Sequence, residues 1–158
     1  MRLTIRAIGK LNAKDPLFSV LEEYHNRAHR LGGTIGLGDF RVHEFDSGRI
    51  TQDKRQNSEA EFLLRNVSGI VVALDERGKD FSSKKLAQYI AKERDNGTRD
   101  MTFLIGGADG HHETVRERAD MMIAVGAMTW PHMLVRVMLA EQLYRTTTIL
   151  TGHPYHRE

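Results

Sequence analysis

The sequence contains no cysteine, only three prolines and a single tryptophan among its 158 residues. Without cysteine the chain has no disulfide framework and no thiolate to serve as a nucleophile or metal ligand, a composition typical of a cytoplasmic protein. No apolar run is long enough to span a membrane, and charge follows the first five residues where a secretory signal would place its apolar core. We therefore expect a cytoplasmic protein without a membrane segment.

An excess of one sign of charge is also missing. The 23 Lys and Arg residues nearly balance the 21 Asp and Glu residues, so the formal net charge of +2 is only a weak indication of a polyanionic partner. Forty per cent hydrophobic and 28% charged residues indicate a globular chain, without repeats or low-complexity segments. The length predicts a single domain spanning residues 1–158.

Short apolar runs alternate with helix-like segments along the chain. Strands are predicted at residues 3–8, 40–45, 70–74, 101–105 and 121–125. Helices are predicted at residues 16–30, 51–66, 82–96 and 131–145. This alternation predicts an α/β fold with a mostly parallel sheet and helices on both faces. In such sheets ligands bind outside the carboxyl ends of the strands.

The predicted helix at residues 131–145 has almost no polar face, so it has to be buried on all sides. Packing against its copy in a second subunit would achieve this and predicts a homodimer. A central core helix in a monomer is the alternative. An aspartate at Leu139 is expected to disrupt the dimer by burying an unpaired charge.

Three loops follow predicted strands, at residues 74–79, 105–110 and 126–132. The second contains three glycines within five residues, Gly106-Gly107-Ala108-Asp109-Gly110, where a backbone could approach a ligand closely. Its spacing matches neither the dinucleotide-binding nor the P-loop pattern, which argues against a nucleotide polyphosphate.

Other catalytic classes find little support. His25 and His29 share a helix face, but the glutamate of a zinc protease motif is missing between them, so we expect no metal site. There is no G-x-S-x-G element for a serine hydrolase. Asp75 and Glu76 are adjacent and would point apart in a strand, which makes them a poor acid and base pair.

The last residues of the sequence, 153–158, read His-Pro-Tyr-His-Arg-Glu. Chain ends usually fray, so this cluster is either a solvated basic tail or part of a site that the tail closes. An imidazole, a phenol and a guanidinium together are suited to proton transfer, stacking and stabilisation of an anion.

Taken together, these motifs resemble one known family. The loops at 74–79, 105–110 and 126–132, the elements Leu-Val-Arg at 134–136 and Glu-Gln-Leu-Tyr-Arg at 141–145, and the tail agree with it in order and spacing. The chain resembles the ribosomal RNA large subunit methyltransferase H family, a small member of the SPOUT class. This resemblance implies a carboxyl-terminal trefoil knot that holds S-adenosyl-L-methionine. It also implies methylation of N3 of a pseudouridine in 23S rRNA by a homodimer acting on the assembled ribosome.

The resemblance also implies roles for individual residues. The cofactor would be held largely through backbone groups of Leu74, Gly107, Gly126, Ala127, Met128, Thr129, Trp130 and Pro131. A valine at Gly107 is expected to fill the space of the cofactor without unfolding the domain. In the tail, His156 would take the proton, Arg157 would stabilise the developing anion, and Tyr155 would stack on the acceptor base or hydrogen-bond to it.

The sequence departs from the common family pattern in two places. Ala124-Val125-Gly126 replaces a Ser-Leu-Ser element, which puts hydroxyl contacts there in doubt but leaves backbone contacts intact. His111 and His112 replace a Leu-Ser type pair, and as adjacent loop histidines we expect them to be solvated.

Two further functions use the same fold. A noncatalytic RNA-binding or ribosome-binding factor would have no reason to bind S-adenosyl-L-methionine, so cofactor affinity distinguishes it from an enzyme. A small-molecule or protein methyltransferase is less compatible with the tail, which matches the rRNA enzymes.

Overall fold

The computed structural model describes residues 1–156 of the chain. Within them five strands alternate with five helices. The strands are β1 (Arg2–Ile8), β2 (Asp39–Phe45), β3 (Ile70–Asp80), β4 (Asp100–Ile105) and β5 (Met121–Ala124). The helices are α1 (Pro16–Gly33), α2 (Gln52–Leu64), α3 (Ser83–Asp95), α4 (Glu113–Arg118) and α5 (His132–Thr151). All five predicted strands and all four predicted helices are present.

The strands form one sheet in the order β2-β1-β4-β3-β5, and every neighbouring pair is parallel. The prediction of a mostly parallel sheet is therefore confirmed. Because the strands are parallel, their carboxyl ends meet at one edge of the sheet, and the loops that follow β3, β4 and β5 meet there too.

Helices cover both faces of the sheet. On one face α1, α3 and α5 enclose a core that includes Leu3, Phe103 and Leu143, each at most 1% exposed. On the other face α2 and α4 enclose a smaller core around Leu63 and Val115. This second core contacts β1, β2 and β4 near their carboxyl ends, at Ile8, Phe45 and Leu104, and β3 near its start, at Val71. The amino ends of β1, β2 and β4 lie outside this core on the same face.

The helix starts follow from local hydrogen bonding. Asp15 precedes Pro16, and its Oδ1 accepts a hydrogen bond from the backbone N–H of Leu17 at 2.9 Å. Ser82 caps α3 in the same way, since its Oγ accepts from the backbone N–H of Lys85 at 3.2 Å. Both are residue types that are preferred at helix N-caps, and Pro16 fits the first helical position.

Helix α5 is longer than predicted. It ends at Thr151 rather than at residue 145, followed by Gly152 with a φ of 67°. The prediction stopped too early because a run of threonines looks unfavourable for a helix. The hydroxyls of Thr147 and Thr148 donate to the carbonyl oxygens of Tyr144 and Arg145 at 2.7 and 2.8 Å, so these polar groups are satisfied inside the helix and are buried.

Strand β3 also extends beyond the predicted residue 74. Its pairing with β5 stops at Leu74 and resumes at Lys79, opposite Ile123. The residues between form an excursion away from the sheet. The return is tight at Gly78, where a Cβ atom would lie 2.5 Å from the carbonyl carbon of Ile123. Only glycine fits this close approach.

The chain leaves the sheet after β5 and returns as α5 across the face that α1 and α3 also cover. The resemblance implies that this segment is threaded through a loop to form a trefoil knot. The strand order is compatible with that threading, which stays a prediction.

Candidate functional site

A cavity of about 440 Å³ lies at the carboxyl ends of β3, β4 and β5. The three loops singled out in the sequence form its walls, at residues 74–77, 105–111 and 125–130. Seven of the residues predicted to hold a cofactor line this cavity together: Leu74, Gly107, Gly126, Ala127, Met128, Thr129 and Trp130. Pro131 is not among the lining residues and instead stands at the N-cap position of α5. We call this space the carboxyl-end cavity.

The loop after β4 turns tightly on its glycines. The backbone N–H of Gly110 donates to the carbonyl oxygen of Gly107 at 3.1 Å, and Gly110 has a φ of 73°. A Cβ atom on Gly106 would lie 3.0 Å from the carbonyl carbon of Gly110. The loop therefore needs these glycines for its own closure, whatever it binds.

The space for a side chain at Gly107 is limited by buried residues behind the loop and not by the cavity. A Cβ atom there would lie 3.0 Å from Oε2 of Glu59 and 3.1 Å from Cγ2 of Ile8. Glu59 is only 5% exposed and accepts a hydrogen bond from Ser47 Oγ at 2.5 Å. The expected reason for a Gly107→Val defect is therefore wrong, because the valine would press on a buried carboxylate instead of filling the cavity.

The excursion after Leu74 is fixed by an ion pair. Arg116 Nε lies 2.9 Å from Oδ2 of Asp75, whose side chain is 5% exposed, and the backbone N–H of Arg77 donates to Asp75 Oδ1 at 3.0 Å. Burial opposes ionisation of Asp75, but these two partners outweigh it and hold the pKa of the carboxyl below its usual value. Asp75 is thus a charged structural anchor at the cavity wall and not a free base.

The loop after β5 is closed by its tryptophan. Trp130 Nε1 donates to the carbonyl oxygen of Val125 at 3.1 Å, which bridges the segment across Gly126 with its φ of 85°. No atom would lie within 4 Å of a Cβ on Gly126, so this part of the loop faces open space. Met128 is 71% exposed. The loop therefore presents backbone groups and an exposed thioether to the cavity.

His111 contradicts the expectation of a solvated loop histidine. It is 3% exposed, lines the cavity wall and donates from Nε2 to the carbonyl oxygen of Leu74 at 3.0 Å. Burial lowers the pKa of this imidazole below its usual value, although the carbonyl of Leu74 and the carboxylate of Asp75 act in the opposite direction. His111 therefore joins the ends of β3 and β4. His112 caps α4 by accepting from the backbone N–H of Thr114.

A buried arginine holds the start of α5 against the sheet. Arg136 is 0% exposed, forms an ion pair with Glu44, and donates from Nη2 to the carbonyl oxygens of Ile8 and Gly9 at 2.9 and 3.0 Å. His132, one turn earlier, lines the carboxyl-end cavity, and burial followed by the charge of Arg136 lowers the pKa of its imidazole. The sequence motif marked Arg136, but its partners lie 92 and more positions away and gave no local signal.

Charge in the carboxyl-end cavity is slightly negative. Its lining includes the carboxylates of Asp75, Glu76 and Asp109 and the guanidinium groups of Arg77 and Arg116, a formal net charge of −1. An anionic phosphate chain is disfavoured in such a site, whereas a cationic ligand is favoured.

The tail residues Tyr155 and His156 lie against α5 and away from the carboxyl-end cavity. Tyr155 donates from its hydroxyl to Glu141 Oε1 at 3.1 Å, and its ring lies 4.7 Å from that of Tyr144 and 4.9 Å from the guanidinium carbon of Arg145. His156 Nδ1 accepts from Arg145 Nη1 at 3.5 Å. Arg157 lies outside the described residues. Neither Tyr155 nor His156 lines the carboxyl-end cavity.

Two absences in residues 1–156 concern metal binding and membrane insertion. No three His, Asp or Glu side chains in this part of the chain are grouped so that they could hold a metal ion. No helix in the same residues is long and apolar enough to cross a membrane.

Comparison with known proteins identifies the family of the chain. Residues 1–156 match the family model described as "Predicted SPOUT methyltransferase". The proteins named "Ribosomal RNA large subunit methyltransferase H" include those of Allorhizobium ampelinum (46% identity, 99% of each chain covered) and Ruegeria pomeroyi (45% identity, 99% of each chain covered). The chain belongs to the SPOUT methyltransferases and, within them, to the ribosomal RNA large subunit methyltransferase H family. A probable methylase family protein from Haemophilus influenzae resembles the fold at 8% identity, with a TM-score of 0.48 over 99% of this chain and 70% of that one.

Proposed function

We propose that this chain, as a single domain of residues 1–158, transfers a methyl group from S-adenosyl-L-methionine to N3 of a pseudouridine in 23S rRNA. It acts as a cytoplasmic homodimer on the assembled ribosome. The observation that carries the proposal is the convergence of three family motif loops on one cavity at the carboxyl ends of β3, β4 and β5. The relatives named as large-subunit rRNA methyltransferases support the substrate.

The carboxyl-end cavity fits this cofactor in size and charge. Its volume of about 440 Å³ is within the range of small-molecule sites, and its net negative lining suits a ligand with a sulfonium and an ammonium group. Leu74 and the loop at 126–130 would hold the cofactor, largely through backbone groups. When bound, the cofactor supplies an electrophilic methyl group on sulfur.

The acceptor side needs a base and a partner for negative charge. N3 of pseudouridine carries an imide proton that has to leave, and charge develops on the neighbouring carbonyl oxygens. His156 would take the proton and Arg157 would stabilise the anion. Burial, Tyr24 and Glu141 raise the pKa of Tyr155, so its phenol stays protonated and serves for stacking or donation rather than as a base.

These tail residues reach the reaction most directly from a second subunit. Within one chain Tyr155 and His156 contact α5 at Glu141, Tyr144 and Arg145, whereas the carboxyl-end cavity touches α5 at His132 and Val135. From Val135 the helix rises about 9 Å to Glu141 and about 15 Å to Arg145. A homodimer that brings the tail of one subunit to the cavity of its partner would close this gap.

A large apolar groove is suited to such a dimer. It has a volume of about 600 Å³, adjoins the carboxyl-end cavity at Leu74 and Gly126, and is lined by side chains of α1, α3 and α5. Val20, which is 39% exposed, and the half-buried Met138 face it. A second copy of α5 could cover this surface, as the apolar sequence of the helix suggests.

The dimer is tested by a Met138→Asp variant. Leu139→Asp is a poor probe, because Leu139 is only 4% exposed within one chain and its replacement would destabilise the fold itself. Met138→Asp should leave the circular dichroism spectrum unchanged and convert the protein to monomers in sedimentation analysis at micromolar concentration. A wild-type monomer under the same conditions would refute the dimer.

The activity is tested in cells. Mass spectrometry of 23S rRNA from cells with and without the gene should show one methyl group on one pseudouridine only where the gene is present. Restoring the gene should restore the modification. An identical methylation pattern in both strains would refute the proposed function, and failure of the pure protein to bind S-adenosyl-L-methionine would favour a noncatalytic ribosome-binding factor.

A further inference from the structure

A second depression lies at the opposite end of the sheet from the carboxyl-end cavity. It has a volume of about 180 Å³ and opens at the amino ends of β1, β2 and β4, outside the core that α2 and α4 enclose. We call it the amino-end depression. Its lining includes Arg2, Thr4, Arg6, Arg41, His43 and Asp100.

The composition of this depression is unusual for its place in the fold. β1 is hydrogen-bonded on both sides, to β2 and β4, and strands of this kind in parallel sheets are normally apolar on both faces. Here β1 alternates, with Leu3 and Ile5 in the core and Arg2, Thr4 and Arg6 on the open face. The polar face of β1 therefore meets something other than an apolar layer.

Positive charge dominates the depression. Three guanidinium groups line it, and the single carboxylate, Asp100, already accepts from Arg2 Nε at 2.7 Å and from Ser68 Oγ at 3.0 Å. This charge affects His43. Partial burial and then the charges of Arg6 and Arg41 lower the pKa of its imidazole. Asp39 pairs with Arg41 at the rim but does not line the depression.

Arg6 leaves one donor unused. Its Nη1 donates to the carbonyl oxygens of Phe62 and Arg65 at 3.0 and 2.6 Å, which anchors the end of α2. Its Nε is buried and has no hydrogen-bond partner among the described residues. An unpaired N–H on a half-buried cation is satisfied best by an acceptor that carries negative charge.

We propose that the amino-end depression binds a phosphate group of the ribosomal RNA backbone. The site would be a second RNA contact, independent of the acceptor base, and it rests on the proposed function for the identity of its RNA. Guanidinium groups match the geometry of phosphate oxygens, and the Thr4 hydroxyl and the Asn66 amide supply further donors. Such contacts position a protein on RNA without reading its sequence.

The test removes two charges and measures ribosome binding. In the variant Arg2→Gln with Arg41→Gln, two exposed cations of the depression become neutral while Arg6 keeps its structural hydrogen bonds. Binding of ribosomes, measured by cosedimentation over a range of salt concentrations, should weaken about tenfold. The slope of log affinity against log salt should become shallower by about 0.7 to 0.9, as expected for one lost phosphate contact.

A matched control separates a local site from overall charge. Arg30→Gln with Lys92→Gln removes the same charge from exposed positions on α1 and α3, on the other face of the sheet, and should leave ribosome affinity within about twofold. Asp39→Asn releases Arg41 from its ion pair and should strengthen binding. Unchanged affinity in the Arg2 and Arg41 variant, or an equal loss in the control, would overturn the proposal.

Two further readouts keep this proposal separate from the proposed function. Calorimetry should give the Arg2 and Arg41 variant the wild-type affinity for S-adenosyl-L-methionine, because the carboxyl-end cavity is at the other end of the sheet. Wild-type protein that binds ribosomes in the expected way but methylates nothing would refute the function and leave the phosphate site standing. Methylation with unchanged variant binding would refute only the phosphate site.

Discussion

The two ends of the sheet differ in charge and in the groups they present. At the carboxyl end, three loops surround a cavity with a formal charge of −1 and offer mainly glycines and backbone atoms. At the amino end, three guanidinium groups lie on an open strand face beside one neutralised carboxylate. The difference suits the proposed cationic cofactor at one end and the proposed RNA phosphate at the other, although the net charge of the chain is only +2.

The same contrast shows why overall composition says little about RNA binding here. Bases and acids interleave along the sequence, but β1 and β2 place alternate residues on one face and collect Arg2, Arg6 and Arg41 there. The sheet thus converts an even charge distribution in the sequence into a local basic surface.

The largest effect is expected from deletion of residues 155–158. The loss of the tail should reduce methylation more than a hundredfold, because it removes the groups suited to the acceptor base. Affinity for S-adenosyl-L-methionine and the melting temperature should change little, since the carboxyl-end cavity is built upstream. Single-turnover methylation of purified ribosomes measures the first effect and calorimetry the second.

His153→Ala is the control for the tail. Its ring is exposed, and its Nδ1 accepts only from the backbone N–H of Tyr155 at 3.2 Å among the described contacts. Turnover of this variant should stay within a few-fold of wild type. Near wild-type turnover of the truncated protein would place the acceptor site elsewhere.

A smaller effect is expected from Asp75→Asn. The change leaves Arg116 without its partner and makes the cavity lining neutral, so S-adenosyl-L-methionine should bind roughly tenfold more weakly. Stability should fall by about 2 kcal/mol, because a largely buried charge-assisted hydrogen bond is lost. Calorimetry and denaturant unfolding measure these quantities.

Glu61→Gln is the matched control for that change. Its ion pair with Arg65 is exposed, so neither cofactor affinity nor stability should respond measurably. If Asp75→Asn behaved like this control, the negative charge of the cavity would have no part in cofactor binding.

The smallest effect is expected from His111→Leu. Burial lowers the pKa of His111 in the folded chain, so below the unfolded pKa of about 6.5 the unfolded state takes up a proton more readily than the folded state. The contribution of His111 to the free energy of unfolding is therefore fully present above about pH 6.5. It is lost as the pH falls toward the lower pKa of His111 in the folded chain. The leucine variant should show a weaker loss of unfolding free energy between about pH 6.5 and 5.

Urea titrations at a series of pH values test this difference. The His112→Leu variant is the control, since His112 is half-buried and its imidazole lies outside the cavity lining. An identical pH profile for wild type and His111→Leu would show that the buried imidazole does not titrate in this range.

The sequence predicts the strands well because each is a short apolar run. It also marks the cavity, since the loops after β3, β4 and β5 necessarily meet at one edge of a parallel sheet. The features that the sequence does not predict depend on partners that are far away along the chain. The burial of His111 requires the carbonyl of Leu74, and the burial of Arg136 requires Glu44 and the end of β1.

Helix α5 shows a different kind of limit. Propensity argues against the threonines near its end, but hydrogen bonds within the helix and burial against the core override that preference. The direction of a Cβ at Gly107 is also invisible in the sequence, because it depends on how α2 places Glu59 behind the loop.

The central claim is methyl transfer from a cofactor in the carboxyl-end cavity to one base of 23S rRNA. The most direct measurement is incubation of the pure wild-type protein with labelled S-adenosyl-L-methionine and ribosomes from cells that lack the gene, followed by mass spectrometric mapping of the label. The account predicts about one methyl group per ribosome, on N3 of a single pseudouridine in 23S rRNA. Label on another position or another molecule, or no label with protein that binds the cofactor, would contradict it.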